Sequence, residues 1–297
     1  MVARRVNRPG WLLEKLYPFQ SHFAQVAGCQ VHYVDEGSGP TLLLVHGNPT
    51  WSFLYRHIIR ALAPDFRCIA PDLPGFGLSR GPEGYDFLPA SQTRVLEQFV
   101  LQLDLRDLTL MVQDWGGPIA LSAAANHPDR CRGLIIGNTF AWSGRGVPRY
   151  ERFSSLMGGP LGRFLSRHFN FFVRVIMPAG VHRTKLSREV MACYLGPFAT
   201  RESRAPTYVL PREIIHSEAF LRSVEAGLAR IAHLPVLIVW GDRDFAFQDA
   251  ERERFESAFA NHRTVILHGA GHFIQEDAPS EIALAIRQWW QETWGAA

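Results

Sequence analysis

The most constraining feature of this 297-residue chain is a short stretch near its middle, Leu108–Pro118. Apolar and β-branched residues from Leu108 to Val112 predict a buried strand, and this run stops at the carboxylate of Asp114. Two glycines and a proline follow, and the apolar, alanine-rich segment 119–125 predicts a helix. The stretch therefore predicts a carboxylate on a tight turn from strand to helix. Alone, it is equally compatible with an aspartate that only caps the helix.

The turn also has a chemical interpretation. A reactive side chain on such a turn, in the pattern Gly-x-nucleophile-x-Gly, resembles the nucleophile elbow of α/β-hydrolases. Here Val112 replaces the first glycine, Asp114 takes the place of serine, and Gly116 keeps the second glycine. A serine alkoxide attacks acyl carbons, whereas a carboxylate suits displacement of a leaving group from sp³ carbon. It then leaves an ester that water must open.

Strand and helix signals alternate along most of the chain. Strands are predicted at 41–45, 67–70, 108–112, 132–137, 236–240 and 264–267, after a hairpin over 23–36. Helices are predicted near 54–63, 91–103, 119–125, 250–259 and 279–290. This alternation predicts an α/β fold, with a mostly parallel sheet covered by helices on both faces. Residues 1–20 are expected to form a loose arm held down by Trp11 and Phe19.

One block interrupts the alternation, because residues 140–228 contain no convincing strand. The block is rich in aromatic residues, and its 12 arginines and 1 lysine against 6 glutamates give it a charge of +7. We interpret it as a helical cap inserted between two strands, so that residues 1–139 and 229–297 form the core. Its charge can draw anions to a pocket, although arginine stems lying over apolar surface explain it more simply.

Composition limits the function classes. A hydrophobic content of 47% is ample for a large core, and a net charge of +3 is too small to predict a nucleic-acid partner. The four cysteines are scattered without the spacing of a zinc site, so we expect reduced thiols and no metal. We expect no signal peptide, because no apolar stretch follows the N-terminal arginines, and no apolar run approaches the roughly 20 residues of a membrane helix. We therefore expect a cytoplasmic protein without a membrane partner, of unpredicted oligomeric state.

The segment His46–Trp51 places polar groups directly after the first predicted parallel strand. Gly47 lets the backbone turn there, so the N–H of Asn48 can point toward a pocket as an oxyanion donor. The usual partner of such a donor is the N–H after the nucleophile, here that of Trp115. The pair predicts an anion-stabilising site, and each donor of this kind is worth about 3–4 kcal/mol in the transition state.

Two later segments supply a candidate acid and a candidate base. Asp242 and Asp244 follow a late strand, and we assign the acid to Asp244 while expecting Asp242 to cap a turn or pair with Arg243. His272 lies in a glycine-flanked loop after the last strand, free to reach the site. The order Asp114, Asp244, His272 matches the nucleophile, acid and histidine order of α/β-hydrolases.

These segments resemble those of the haloalkane dehalogenases. The resemblance is carried by His-Gly-Asn-Pro-Thr at 46–50, Gln-Asp-Trp-Gly-Gly at 113–117 and Gly-His-Phe-Ile-Gln-Glu-Asp-Ala-Pro at 271–279. It covers roughly residues 23–140 and 228–293 and implies an α/β-hydrolase fold with an inserted cap. It further implies Asp114 as nucleophile, Asp244 as acid and His272 as base. Side-chain N–H groups of Asn48 and Trp115 match the family's two halide-stabilising positions.

The family's subgroups differ in where the acid lies. Some members carry it after the strand that precedes the cap, but here Asn138 follows that strand, which leaves Asp244. The combination of Asn48 with Asp244 resembles a less explored subgroup. Trp142, early in the cap, is given no halide role.

The implied reaction converts a haloalkane into an alcohol, a halide ion and a proton. Asp114 would displace the halide and form an alkyl–aspartyl ester, and His272, held by Asp244, would activate the water that opens it. No metal and no organic cofactor is required.

Two alternatives stay open. An epoxide hydrolase uses the same kind of nucleophile with cap tyrosines as the acid, and Tyr150, Tyr194 and Tyr208 are available. A non-catalytic binding protein could keep the pocket without turnover. A fluoroacetate-type dehalogenase would want an arginine beside the nucleophile, where this chain has Trp115.

Overall fold

The computed structural model describes residues 8–295. Within that range eight strands form one sheet in the order β1-β2-β4-β3-β5-β6-β7-β8. Their bounds are β1 His22–Val26, β2 Cys29–Glu36, β3 Thr41–Val45, β4 Arg67–Pro71, β5 Leu108–Asp114, β6 Cys131–Thr139, β7 Val236–Gly241 and β8 His262–Leu267. Only β2 pairs antiparallel, with β1 and β4, and the other pairs are parallel.

The centre of the sheet is buried on both sides. Every residue of β5 and of β7 is buried, which is why their sequences are nearly continuous apolar runs. In a parallel sheet all such strands end at one edge, so Asp114 at the end of β5 lies near the ends of β3, β6 and β7. This edge carries the polar segments that the sequence places after the strands.

Helices cover the sheet and form the insertion after β6. Their bounds are α1 Arg56–Leu62, α2 Pro89–Gln102, α3 Gly116–Asn126, α4 Pro148–Gly158, α5 Pro160–Phe169, α6 Met177–Ala179, α7 Arg188–Leu195, α8 Pro206–His216, α9 Glu218–Ile231, α10 Asp249–Ala258, α11 Ile274–Asp277 and α12 Pro279–Trp294. A π-helical turn, Phe172–Ile176, precedes α6. Helices α2, α3 and α9 pack as one group and α1 with α12 as another. The predicted α/β architecture is confirmed, with helix and strand ends shifted by a few residues.

The segment between β6 and β7, residues 140–235, consists of helices joined by turns and loops and contains no strand, in agreement with its lack of strand signals. Helix α9, however, packs against α3 of the core, where Gly227 comes so close to Ala125 that an added Cβ would lie 3.0 Å from the Ala125 Cβ. We therefore propose that the cap ends near Ser217 rather than at 228, with α9 belonging to the core.

The N-terminal segment is packed down from residue 8 onward. Leu12, Tyr17 and Phe19 are buried, and the ring of Trp11 meets that of Trp51 edge-on at 5.8 Å. The expected roles of Trp11 and Phe19 as anchors agree with this packing. The rest of the expected loose arm, residues 1–7, lies outside the described residues. From residue 8 to residue 295, each helix is too short or too polar to cross a bilayer.

Candidate active site

The turn after β5 holds Asp114 in a conformation that few side chains adopt. Its φ of 50° lies in the left-handed region, which is typical of a strained turn that presents a side chain. The two following glycines are needed for space. A Cβ at Gly116 would lie 2.2 Å from the Val45 carbonyl oxygen, and one at Gly117 would lie 1.9 Å from Thr139 Oγ1. Thr139 Oγ1 donates in turn to the Asp114 carbonyl oxygen at 2.5 Å.

The turn after β3 lies against the Asp114 carboxylate. The backbone N–H of Asn48 donates to Asp114 Oδ1 at 2.6 Å. Gly47 permits the approach, because a Cβ there would lie 2.3 Å from Asp114 Oδ1 and 2.7 Å from the Trp115 nitrogen. Both predicted oxyanion N–H groups therefore lie beside the Asp114 carboxylate, one of them already bonded to it.

His46 supports this turn from behind. Its Nδ1 bonds the Gly47 carbonyl oxygen at 2.9 Å, and its Nε2 accepts from the Leu73 N–H at 2.9 Å. Burial lowers the pKa of His46, which keeps the ring neutral and able to accept that bond. The structure thus agrees with the expected packing role for His46.

The predicted acid and base meet at the same edge. Asp244 Oδ2 lies 2.9 Å from His272 Nδ1, and His272 Nε2 lies 3.6 Å from Asp114 Oδ2. Because Asp244 accepts at Nδ1, the neutral imidazole carries its proton there and keeps Nε2 as the free base. All three side chains are buried, so these charges interact with little screening by water.

The charges around His272 control its protonation. Burial by itself disfavours the imidazolium, but the carboxylates of Asp244 and Asp114 outweigh it and raise the pKa of His272 to about 10. Loss of the negative charge on Asp114 would lower the pKa of His272 and so favour its neutral form, the form that can accept a proton.

A cavity opens above Asp114. Asn48, Trp115 and His272 line its floor, and its walls are mostly aromatic and aliphatic: Tyr150, Phe153, Phe172, Ile176, Pro211, Ile214, Phe245, Phe247 and Phe273. Within residues 8–295, neither the Trp115 indole N–H nor the Asn48 amide nitrogen has a protein acceptor. An anion in the cavity could therefore take both donors.

Comparisons with known proteins agree with this site. A family profile described as the alpha/beta hydrolase fold matches residues 40–279. Haloalkane dehalogenase 2 of Mycobacterium bovis is 42% identical over 275 residues, covering 92% of this chain and 95% of that protein. The crystal structure of haloalkane dehalogenase DbeA from Bradyrhizobium elkani superposes with a TM-score of 0.83 at 32% identity, covering 91% of this chain and 97% of that one. The chain belongs to the haloalkane dehalogenase family.

A relative that is named for a different reaction also matches nearly the whole of this chain. The cis-3-alkyl-4-alkyloxetan-2-one decarboxylase of Shewanella oneidensis is 32% identical over 294 residues, covering 95% of this chain and 92% of that protein. A dehalogenase scaffold of this kind is thus similar to a protein named for a different reaction.

Two residues that sequence reasoning did not assign contact the predicted acid and base. Asn138 Nδ2 donates to Asp244 Oδ2 at 2.9 Å, and Gly241 N donates to Asn138 Oδ1 at 2.8 Å. Gln113 Nε2 lies 3.0 Å from His272 Nε2 and donates to the His272 carbonyl oxygen at 3.1 Å. Both are buried amides near the carboxyl end of a strand, after a largely apolar run, which is the signal that could have marked them.

The three cap tyrosines of the epoxide-hydrolase alternative do not act together. Tyr150 lines the cavity, but the Tyr194 hydroxyl donates to Glu276, which also pairs with the buried Arg56. Tyr208 is buried, under the guanidinium of Arg163. Epoxide opening would use a pair of tyrosines facing Asp114, but among residues 8–295 Tyr150 is the only tyrosine that lines the cavity.

The cap is tied to the histidine loop by Asp277. Its carboxylate accepts the N–H of Gly271 at 2.8 Å from the loop itself, and the N–H of Arg183 at 2.7 Å from the cap. The N–H of His182 joins them at 3.0 Å. Asp277 thereby fixes the loop that presents His272 against the insertion.

Two minor expectations have clear outcomes. Asp242 accepts from the Gly269 N–H at 2.6 Å, which agrees with the expected capping of a turn. It also lies 3.0 Å from His268 Nδ1, so its side chain pairs with His268 rather than with Arg243. Trp142 packs on Phe255 outside the cavity lining, as expected for a residue without a halide role.

Proposed function

We propose that the chain hydrolyses haloalkanes through a covalent ester on Asp114, with Asn48, Trp115, Asp244 and His272 in the roles that the resemblance implies. The observation that carries the proposal is the Asp114 carboxylate itself. Oδ1 is held by the Asn48 N–H at 2.6 Å, while Oδ2 lies 3.6 Å from His272 Nε2 at the floor of an apolar cavity. One oxygen is thus oriented and the other is available to attack.

In the first step, Asp114 Oδ2 attacks the halogen-bearing carbon, the carbon–halogen bond breaks, and the halide leaves with its electron pair. The side-chain N–H groups of Asn48 and Trp115 stabilise the developing anion. Both are donors, and the indole has no acceptor that would repel a halide. The combination of this pair with Asp244 supports our assignment of the chain to the less explored subgroup that it resembles.

In the second step, His272 takes a proton from water, and the hydroxide attacks the ester carbonyl of Asp114. The backbone N–H groups of Asn48 and Trp115 hold the oxyanion, and Asp244 stabilises the imidazolium. Collapse of the intermediate frees the alcohol and regenerates the carboxylate. The balance is one haloalkane and one water giving one alcohol, one halide and one proton.

The deciding experiment measures bromide and proton release from a panel of bromoalkanes, with styrene oxide as a competing substrate. Asp114→Ala should abolish bromide release. His272→Phe should release one equivalent of bromide per enzyme and then stop, with the alkyl group found on the Asp114 peptide by mass spectrometry. Diol from the epoxide without bromide would replace the proposal with an epoxide hydrolase, and absence of any adduct would favour a non-catalytic binding protein.

A second candidate reaction is decarboxylation of a cis-3,4-dialkyloxetan-2-one, which the name of the Shewanella oneidensis relative suggests. Asp114 would displace the ring oxygen from the alkyl-bearing carbon, and the donors of Asn48 and Trp115 would stabilise the departing carboxylate as they would a halide. Loss of carbon dioxide would then form the carbon–carbon double bond and expel Asp114. The aromatic and aliphatic cavity walls suit two alkyl arms.

The two reactions differ in their need for water. Dehalogenation consumes one water per turnover, whereas the oxetanone route consumes none. A His272→Phe protein that stops after one bromide but still converts the oxetanone repeatedly to an alkene would establish the second activity. A native protein that leaves the oxetanone unchanged while releasing bromide would reject it.

A further inference from the structure

The outer face of the cap carries a cluster of exposed apolar side chains. Leu156, Leu161, Phe164, Phe169 and Val175 are exposed to between 47% and 60% of their surface. All five lie within 20 residues of sequence, on α4, α5 and the π-helical turn. Scattered apolar residues are ordinary on a protein surface, but a local group of this size calls for a partner. We call these five residues the outer patch.

Helix α5 is turned the opposite way from an ordinary surface helix. Its small residues Gly162 and Ser166 are buried, and Gly162 lies so close to α4 that an added Cβ would be 2.2 Å from the Leu156 carbonyl oxygen. Leu161 and Phe164, at helical spacing on the other side, face outward. The face of small residues therefore packs against α4, and the face with large apolar residues is exposed.

Exposed arginines are interspersed in sequence with the residues of the outer patch. Arg152, Arg163, Arg167 and Arg174 are all exposed, and among residues 8–295 only Arg167 has a carboxylate within ion-pair range, Glu202 at 3.7 Å. The positive charge of this region also affects the pKa of the nearby Arg204. Burial first, and then the charges of Arg174 and Arg201, lower the pKa of Arg204.

We propose that the outer patch docks on an anionic lipid surface, with α5 lying in the plane of the headgroups. An apolar stripe with long cationic side chains beside it is the pattern of an interfacial helix, because arginine can reach phosphate while its stem stays near the acyl chains. A second copy of the chain fits less well. A two-fold contact through this patch would set the four arginines of each copy against those of the other. The proposal departs from the expectation of no membrane partner, which rested on the absence of a spanning segment from the sequence. Contact in the plane of the headgroups needs no such segment.

The position of the outer patch links this docking to the cavity. Phe153 lines the cavity and stands one turn before Leu156 on α4. Phe245, exposed to 43%, also lines the cavity, and its ring lies 6.4 Å from that of Phe153. Docking would therefore bring the cavity mouth close to the bilayer, in which apolar halogenated substrates concentrate.

The test is flotation of the full chain with two kinds of vesicle, one of phosphatidylcholine and one containing phosphatidylglycerol. Two variants separate the apolar and electrostatic contributions to vesicle binding. The serine variant combines Leu161→Ser, Phe164→Ser and Phe169→Ser, and the arginine variant combines Arg163→Gln and Arg167→Gln. The matched control is Leu284→Ser with Arg222→Gln, an exposed leucine of α12 and an exposed arginine of α9. Circular dichroism and bromide release should be unchanged in all variants, since none of these residues lines the cavity.

We expect the native chain and the control to float with phosphatidylglycerol vesicles at low salt, and not with phosphatidylcholine alone. The arginine variant should bind roughly 25-fold more weakly, because each cation near an anionic surface adds about fivefold. The serine variant should not float. Equal flotation of native and variant chains, or none by the native chain, would overturn the proposal. So would lipid-free self-association that the serine variant abolishes, which would assign the patch to contact between copies.

Discussion

Replacement of Asn138 by alanine tests whether the histidine is held through its acid. The Asn138 amide joins the ends of two strands through three buried hydrogen bonds. Its Nδ2 donates to Asp244 Oδ2 at 2.9 Å and to the Gly241 carbonyl oxygen at 3.2 Å, and its Oδ1 accepts from the Gly241 N–H at 2.8 Å. Alanine would leave these groups without their partner in a site with no exposure at residue 138.

The magnitude follows from the kinds of bond that are lost. A hydrogen bond to a charged group contributes about 1.5–3 kcal/mol, and a buried donor left unpaired costs about 1–3 kcal/mol. Together we expect the free energy of unfolding to fall by about 3–5 kcal/mol. Asp244 would also be free to turn away from His272, and a misplacement of about 1 Å can slow a reaction about 100-fold.

Urea unfolding of the native and Asn138→Ala chains measures the first effect, and rapid-mixing bromide release measures the second. The initial equivalent of bromide should appear at the native rate, because Asp114 and its halide donors are untouched, while the steady-state rate should drop. Asn126→Ala is the control, since that exposed amide bonds only Glu97 among the described residues. A loss below about 1 kcal/mol, or a slower initial release, would refute the reasoning.

Three further predictions concern the same site. The raised pKa of His272, about 10 in the folded chain against about 6.5 unfolded, adds stability that is present below pH 6.5 and lost as pH rises through about 10. In urea titrations, the native chain should therefore have a higher free energy of unfolding than His272→Phe, and this difference should shrink between about pH 7 and 10. A difference that stays constant with pH would contradict this prediction. Gly47→Ala should lower bromide release at least about 100-fold, because its Cβ would lie 2.3 Å from Asp114 Oδ1; activity within tenfold of native would count against this. Gln113→Leu removes the donor 3.0 Å from His272 Nε2, which favours the neutral ring, so the rising limb of the pH–kcat profile should move to higher pH. An unmoved limb would leave Gln113 a packing residue.

Local sequence patterns determined the framework of this protein. The apolar runs of β3, β5 and β7 could only be buried strands, and each is followed by the glycine or polar residue that a turn requires. Since parallel strands end at one edge, chain order alone predicted that Asp114, Asp244 and His272 would approach one another. In the structure, His272 lies 2.9 Å from the Asp244 carboxylate and 3.6 Å from the Asp114 carboxylate. Their catalytic roles remain predictions until the variants are measured.

Tertiary packing decided what those patterns do not encode. Asn138 holds Asp244 across 106 positions of sequence, and Gln113 meets His272 across 159, so neither contact leaves a local periodic signal. The cap is the clearest case. Its tyrosines look equivalent in sequence, yet packing sends Tyr150 to the cavity and Tyr194 to Glu276. Helix amphipathicity shows that α5 has an apolar side but not which side is buried, and here the small residues fill the close contact, leaving the apolar side outward.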